Sequence, residues 1–180
     1  GPMLHRTVQQ FLTDVFFGDL DVLLIDMPPG TGDIAISIGQ ILPHAEVLVV
    51  TTPQPAAAEV AIRSGLVARR TGQRVIGVVE NMAPYALPDG TVIDLFGSGG
   101  GAEVAQALSA PGDHGSVAED VPLLASIPLS PALRQGGDAG MPVVLAHPDD
   151  AAAAAVIALA RTIAHRGRGL AGRSLPMRLS

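Results

Sequence analysis

The sequence predicts an α/β fold in which a mostly parallel sheet carries helices on both faces. Short apolar runs alternate with helical stretches along most of the chain, and most of these runs end at a polar residue, a proline or a glycine. This alternation is typical of strand–helix–strand units, which place neighbouring strands parallel and cover both sides of the sheet. Unbroken apolar runs also fit parallel strands, because such strands are buried on both faces.

The stretch at residues 21–33, DVLLIDMPPGTGD, organises the prediction. Its run of Val, Leu, Leu and Ile at residues 22–25 predicts a strand that is buried on both faces. The run stops at Asp26, and the prolines and glycines that follow force the backbone to turn. Because open α/β sheets bind ligands at the carboxyl ends of their strands, Asp26 is a candidate site residue. The alternative is a buried strand that ends in an ordinary turn.

The elements in the first half of the chain follow from apolar spacing and from helix caps. An apolar stripe at residues 8, 11, 12 and 15 predicts an amphipathic helix that ends at Gly18. Asp33 is the expected N-cap of a short helix over residues 34–42. Residues 46–53 predict a second buried strand stopped by Pro53, and residues 56–70 predict a long Ala-rich helix closed by Gly72.

The second half repeats this alternation around a short interruption. A third strand is predicted over residues 75–79 and ends in Glu80 and Asn81. The interruption comprises a turn at Pro88-Asp89-Gly90, a short strand over residues 91–96 and a glycine run at residues 97–101. The remaining predictions are a helix over 102–108, a strand over 122–129, a short helix over 132–138 and a last helix over 151–164. Parallel strands would gather Asp26, Thr51, Thr52, Asn81, Ile127 and Pro128 at one edge of the sheet.

Composition limits the chemistry that this chain can perform. Its 180 residues suffice for one domain, and the net charge of −6 argues against a nucleic-acid surface. It contains no cysteine, and every basic residue is arginine, so neither a thiolate ligand nor a phosphate-loop lysine is available here. No transmembrane stretch or signal peptide is visible, which predicts a cytoplasmic protein without membrane contacts. Residues 1–3 resemble the remnant of a protease cleavage site, and residues 167–180 predict a frayed tail.

Three candidate motifs have competing interpretations. The glycine run with Ala102 fits G-x-G-x-x-A, the dinucleotide fingerprint, but a flexible loop that starts a helix fits its surroundings better. Asp26 is the best metal candidate, because Mg²⁺ favours single carboxylates together with phosphate oxygens and waters. The Asn81 amide suits the edge of a nucleobase, while capping the end of a strand is the alternative.

Several motifs together resemble the Mrp/ApbC-type P-loop ATPases, which are relatives of MinD and ParA. The resemblance starts at LDVLLIDMPPGTGD and continues, in order, through VLVVTTPQ, VIGVVENM, LFGSGGG and VPLLASIPLSPALRQGGDAGMPVV. It covers about residues 4 to 166. It implies a MinD/ParA-like fold, ATP hydrolysis, a role in iron–sulfur cluster carriage and assembly with client apo-proteins, and a homodimer.

The resemblance also implies roles for individual residues. Asp26 would hold the Mg²⁺ shell through water, and the Gly30 N–H would contact the γ-phosphate. Asn81 would read adenine, and Ile127, Pro128 and Leu129 would line the base pocket. Asp33 and Arg134 match the family pattern without an implied role.

Two departures from the family pattern shape the functional hypothesis. The strand and glycine-rich loop of the form KGG-x-GK[ST] are absent, so the chain resembles the C-terminal half of the ATPase domain. Many members also carry C-P-x-C where this chain has Ala86, Leu87, Pro88, Asp89 and Gly90, which argues against a thiolate-held cluster here. We therefore expect the ATP-binding half of an Mrp-like ATPase that is inactive alone. The alternative is an ATP-switched interaction protein of the MinD/ParA type that carries no cluster.

Overall fold

The computed structural model describes residues 2–28, 32–87, 89–111 and 119–166, of which the side chains of residues 2–4 and 33 are not described. The strands are β1 Glu46–Thr51, β2 Arg74–Ala83, β3 Tyr85–Ala86, β4 Val92–Ile93 and β5 Leu123–Pro128. The helices are α1 Pro2–Asp14, α2 Asp33–Ile41, α3 Pro55–Arg70, α4 Gly100–Ser109, α5 Pro131–Ala139, α6 Val143–Ala146 and α7 Ala151–Ala164.

A three-stranded parallel sheet in the order β1-β2-β5 forms the centre of the fold. Helices α3 and α4 lie between its strands in the sequence, as the alternation of apolar runs and helical stretches predicts. The central strand β2 is buried from Val75 to Glu80, because it has a hydrogen-bonded neighbour on each side. The predicted parallel α/β sheet is thereby confirmed for these three strands.

Two apolar clusters cover the two faces of the sheet. On one face, α3 and α4 pack over β1 and β2, where Val78, Val104 and Leu108 have no exposed surface. On the other face, α7 packs against β5, and Val79 and Ile127 are buried beside Ala152. Because successive strand residues point to opposite faces, Val78 and Val79 assign the two clusters to opposite sides of β2. The prediction of helices on both faces is confirmed.

A small hairpin interrupts the alternation after β2. Strands β3 and β4 pair antiparallel, with Tyr85 opposite Ile93 and Ala86 opposite Val92. The Gly90 N–H donates to the Leu87 carbonyl at 2.9 Å, which closes the predicted turn, although Pro88 itself lies outside the described residues. The predicted strand over residues 91–96 is too long, because the only partner available to it in the described chain, β3, is two residues in length.

The predicted buried strand at residues 21–26 is wrong. These residues form no strand, and Val22, Leu23, Leu24 and Ile25 are 51%, 45%, 79% and 36% exposed. A strand exists only through hydrogen bonds to a neighbour, and no strand of the described chain pairs with this segment. The apolar run therefore lies extended and uncovered.

The remaining differences concern the ends of helices. Helix α1 ends at Asp14 and not at Gly18. The Thr13 hydroxyl in its last turn has the Gln9 carbonyl at 3.0 Å and Asp14 Oδ1 at 2.8 Å as alternative acceptors, and such local side-chain bonds are typical of helix ends. Helix α2 is capped by Gly32 and not by Asp33, because the Gly32 carbonyl accepts from the Ala35 and Ile36 amides. Helix α4 starts earlier than predicted, at Gly100, and the four-residue α6 was not predicted.

Candidate functional site

The carboxyl ends of the three parallel strands bring two predicted site segments together. Pairing places Glu80 between Thr51 of β1 and Ser126 of β5, and it places Ala83 opposite Pro128. Asn81 therefore lies between two positions of β2 that pair with β5, at the same edge of the sheet as residues 127–129. The expectation that the sheet gathers Asn81 with Ile127 and Pro128 is confirmed.

Asn81 and Met82 form an unusual end to β2. Asn81 is half-buried, and its Oδ1 accepts a hydrogen bond from the Met82 N–H at 2.9 Å. Met82 has φ 57°, a left-handed conformation that no other described residue except glycine adopts. This conformation costs about 1–3 kcal/mol in a residue with a side chain, so the surrounding structure must hold it in place. The Asn81 amide nitrogen forms no hydrogen bond within the described residues and can donate to a ligand.

The segment at residues 127–129 presents two side chains at this edge. Ile127 is buried in the core under α7, whereas Pro128 and Leu129 are half-buried. The Leu129 N–H donates to the Ala83 carbonyl at 2.9 Å, which ties the segment to the end of β2. Half-buried Pro128 and Leu129 and the polar amide of Asn81 thus lie at the same edge of the sheet, a combination that suits a flat heterocycle with a polar edge.

A shared cap fixes the chain immediately after this segment. Ser130 is buried, accepts from the Leu133 N–H at 3.1 Å and donates to Asp150 Oδ2 at 2.9 Å. Asp150 Oδ1 in turn accepts from the Ala152 N–H at 2.8 Å and caps α7. Two helix N-termini are capped through one pair of side chains, which holds residues 127–130 in place.

The glycine run starts α4 and does not form a dinucleotide fingerprint. That fingerprint requires glycines directly after a strand, but β4 ends at Ile93, well before Gly97. The structure gives the glycines a packing role, since a Cβ on Gly100 would lie 2.7 Å from the Thr52 and Pro53 carbonyl oxygens. A Cβ on Gly101 would lie 2.6 Å from Glu80 Cβ. The interpretation of this run as a loop and helix start is confirmed.

The structure adds Glu80 to the residues at this edge. This carboxylate is only 4% exposed, and its two oxygens accept from the Gly101 N–H at 2.9 Å and from Ser126 Oγ at 3.2 Å. Sequence reasoning missed it because a glutamate at the end of a strand is usually exposed. The available signal was the pair of adjacent glycines at 100–101, which indicates that a backbone comes unusually close to a neighbour.

The sheet does not position Asp26, the residue expected to hold the metal. Asp26 is exposed and follows the uncovered segment, so its predicted place at the end of a buried strand is wrong. No hydrogen bond or ion pair within the described residues engages its carboxylate. Gly30 lies outside the described residues.

In the stretch that matches the C-P-x-C position of the family pattern, Asp89 and Gly90 are exposed. Asp89 Oδ1 accepts from the Thr91 N–H at 2.8 Å, and this bond holds the pKa of the Asp89 carboxyl below its ordinary value. Across the described residues, no group of three or more His, Cys, Asp or Glu side chains could hold a metal ion. The turn therefore offers one hard oxygen ligand and no thiolate.

Two further charged groups of residues, outside this edge, are internally paired. A cleft at the amino ends of the strands is lined in part by Arg74 and Arg166, whose guanidinium groups lie 3.7 and 3.5 Å from Glu46. Arg134 pairs with Asp138 at 2.9 Å on the exposed side of α5, an arrangement worth about 0.3–0.5 kcal/mol. Neither feature adds to the site at the carboxyl edge.

The fold is that of an open α/β protein, a class that binds ligands at the carboxyl ends of its strands. The sequence matches the ParA family, described as the NUBPL iron-transfer P-loop NTPases, over residues 1–164. The chain belongs to this family. No helix in the described part of the chain has the length and apolar character needed to cross a bilayer.

Curated relatives carry the description "Iron-sulfur cluster carrier protein". Those of Mycobacterium bovis and Deinococcus radiodurans are 58% and 43% identical over 97% and 91% of this chain. The chain spans about half the length of these relatives, 45% and 43% respectively. It is thus similar to one part of a longer protein.

Solved structures share the fold. The cell division ATPase MinD of Pyrococcus furiosus superposes with a TM-score of 0.61 at 28% identity, over 89% of this chain and 56% of that one. A nucleotide-binding protein of Archaeoglobus fulgidus, described as a complex with ADP, gives a TM-score of 0.62 at 32% identity, over 77% and 53%. The predicted MinD/ParA-like fold, present here in part, is confirmed.

Proposed function

We propose that this chain is the base- and magnesium-contacting part of an ATP-hydrolysing iron–sulfur cluster carrier protein. The observation that carries the proposal is the junction of Asn81 with residues 127–129 at the ligand edge of a P-loop NTPase fold. The family match and the cluster-carrier relatives support the same function. By analogy with the family, the whole protein acts as a cytoplasmic homodimer that serves client apo-proteins.

The base end of the nucleotide fits the groups present at this edge. The Asn81 amide nitrogen can donate to adenine while its Oδ1 remains engaged by Met82. Pro128 and Leu129 offer apolar surface to the ring, and buried Ile127 supports them from below. An ADP complex of the similar Archaeoglobus fulgidus protein is consistent with this assignment.

The metal end depends on Asp26 and Gly30. Asp26 presents an exposed, unpaired carboxylate within the described residues, which suits a hard cation that keeps several of its waters. Mg²⁺ bound there would neutralise charge on the phosphates. The Gly30 N–H would contact the γ-phosphate, a role that rests on the family resemblance alone.

The triphosphate cradle does not fit this chain. A phosphate loop needs a glycine-rich turn and a lysine, and the chain has no lysine at all. We therefore expect that the 180-residue chain does not hydrolyse ATP. The test measures phosphate release from ATP and Mg²⁺ by the chain and by the full-length protein. Release by the chain above the buffer background, abolished by EDTA, would contradict this expectation, and no release by the full-length protein would contradict the proposed function.

A second candidate function is an ATP-switched interaction protein that carries no cluster at this site. The observation in its favour is the exposed turn at residues 87–90, which replaces the cysteines of C-P-x-C relatives. Anaerobic reconstitution of the full-length protein with iron and sulfide, followed by iron counting, separates the two. A stoichiometric cluster that is lost when residues 86–90 are substituted would exclude the second candidate, an interaction protein without a cluster at this site. If no cluster forms, the result supports an ATP-switched interaction protein and contradicts direct cluster carriage by this protein.

A further inference from the structure

The buried carboxylate of Glu80 has no role in the proposed nucleotide contacts. No arginine or histidine in the described part of the chain forms an ion pair with it. Its partners are two neutral donors, the Gly101 N–H at 2.9 Å and Ser126 Oγ at 3.2 Å. A buried carboxylate without a counter-charge is costly, so hydrogen bonds and the positive end of α4 must offset the lost hydration. Because burying this carboxylate is unfavourable, packing alone does not explain why a glutamate occupies this position.

Glu80 joins three elements at one point. It lies on β2, it bonds the second residue of α4 through Gly101, and it bonds β5 through Ser126. The approach of α4 is possible only because Gly101 has no side chain, since a Cβ there would meet Glu80 Cβ at 2.6 Å and Leu123 Cδ1 at 2.9 Å. The end of β2 is therefore held from both sides immediately before Asn81.

The strained turn next to Glu80 needs this support. Met82 keeps its left-handed backbone between two fixed points, which are the hydrogen bonds of Glu80 and the bond from the Leu129 N–H to the Ala83 carbonyl. If the Glu80 bonds were lost, the backbone could relax and carry the Asn81 amide away from its present position.

We propose that Glu80 is a positioning residue, whose bonds to Gly101 and Ser126 fix the end of β2 so that the Asn81 amide distinguishes adenine from guanine. This inference rests on the proposed nucleotide function. The Asn81 nitrogen can donate to an acceptor of adenine, and Oδ1, which has a second lone pair besides the one that Met82 engages, can accept from the adenine amino group. Guanine presents two acceptors on the corresponding edge, so the oxygen would face an acceptor there. Precise placement of the amide therefore affects the choice of base more than it affects binding of the phosphates.

The experiment measures dissociation constants of ADP and GDP for the full-length protein by equilibrium dialysis with Mg²⁺ present. We expect Glu80→Ala to lower the preference for ADP over GDP about tenfold, because both bonds disappear and Gly101 loses its acceptor. Glu80→Gln should keep the preference within about threefold. Its amide can accept from Gly101 and donate to the Ser126 hydroxyl, which both donates and accepts.

Serine variants keep the test decisive if Glu80→Ala does not fold. Ser126→Ala removes one of the two bonds and should lower the ADP preference about threefold. Ser109→Ala is the matched control, because it removes hydrogen bonds to Ala105 and Val121 that lie away from this edge. A purely structural role for Glu80 would lower stability and weaken both nucleotides equally.

The outcomes separate the two proposals. A folded Glu80→Ala protein with the wild-type ratio of ADP to GDP affinity would overturn the positioning role, as would an unchanged ratio in Ser126→Ala if the first variant does not fold. Wild-type protein that binds neither nucleotide would overturn the proposed function instead. In that case, hydrogen exchange at the Met82 amide tests whether the Glu80 bonds hold the end of β2. Faster exchange in Ser126→Ala than in the wild type supports this role, and unchanged exchange contradicts it.

Discussion

Two apolar runs of similar composition have opposite fates in this molecule. Residues 47–50, Val-Leu-Val-Val, form most of β1, whereas residues 22–25, Val-Leu-Leu-Ile, form no strand. The first run pairs with β2 and packs under α3, and Val49 is 4% exposed. The second run has no paired neighbour in the described chain, and Leu24 is 79% exposed. A strand therefore depends on its neighbours as much as on its own residues.

The difference extends to the regions around the two runs. Around β2, side chains from α3, α4 and α7 close both faces of the sheet. Between the end of α1 and Asp26, large apolar side chains remain exposed, including Phe16 at 93% and Leu20 at 50%. Several large exposed apolar side chains close together in the sequence are typical of a contact site. We propose that residues outside the described part of the chain cover this region, because the chain spans about half the length of its relatives.

The largest expected effect compares one leucine from each region. Leu108→Ala in this chain should lower the free energy of unfolding by about 3–4 kcal/mol, because Leu108 is fully buried between α3 and the sheet. Leu24→Ala in the same chain should change it by less than about 0.5 kcal/mol. Urea denaturation of the two variants checks both values. Equal losses would show that the region at residues 21–26 is packed as tightly as the core.

The next effect concerns Asp26 in the full-length protein. Asp26→Asn keeps the shape of the side chain but removes the charge that would order the waters of Mg²⁺, so ATP turnover should fall at least ~100-fold, about 2.7 kcal/mol of barrier. Asp19→Asn, an exposed carboxylate from the same uncovered region, is the matched control and should leave turnover unchanged. Wild-type rates in Asp26→Asn would show that this residue is only the end of an apolar segment.

The smallest effect is self-association of the chain on its own. The uncovered side chains at residues 16 and 20–25 should bring copies together at micromolar concentrations, and Phe16→Ser with Leu24→Ser should weaken this association. Sedimentation velocity over a range of concentrations measures both. A monomer with one sharp, concentration-independent unfolding transition would mean that the exposed surface needs no partner.

Sequence reasoning located the elements whose partners lie within this chain. The runs at β1, β2 and β5 and the last helix, α7, could be predicted because periodicity and caps are local signals. The fate of residues 22–25 could not be predicted, because it depends on a neighbouring strand. The left-handed Met82 and the buried Glu80 were missed for a related reason, because nothing in the sequence next to them indicates either feature. The signal for Glu80 lies twenty residues later, in the adjacent glycines at 100–101 that let α4 approach it.

The residues of the candidate site show the same dependence on neighbouring strands. Asn81 and residues 127–129 were predicted to meet, and they do, because parallel pairing alone brings them together. Asp26 was placed at the same edge by a strand that the described chain does not form. The residue roles themselves came from the family resemblance and remain proposals.

Hydrogen exchange of the full-length protein with and without ADP and Mg²⁺ tests the account most directly. We expect the backbone amides of residues 22–26 to be protected in the full-length protein and to exchange freely in the 180-residue chain. The account also predicts that ADP and Mg²⁺ slow exchange at residues 81–83 and 127–129 in the full-length protein. Free exchange at residues 22–26 in the full-length protein, together with no response to nucleotide at residues 81–83, would contradict it.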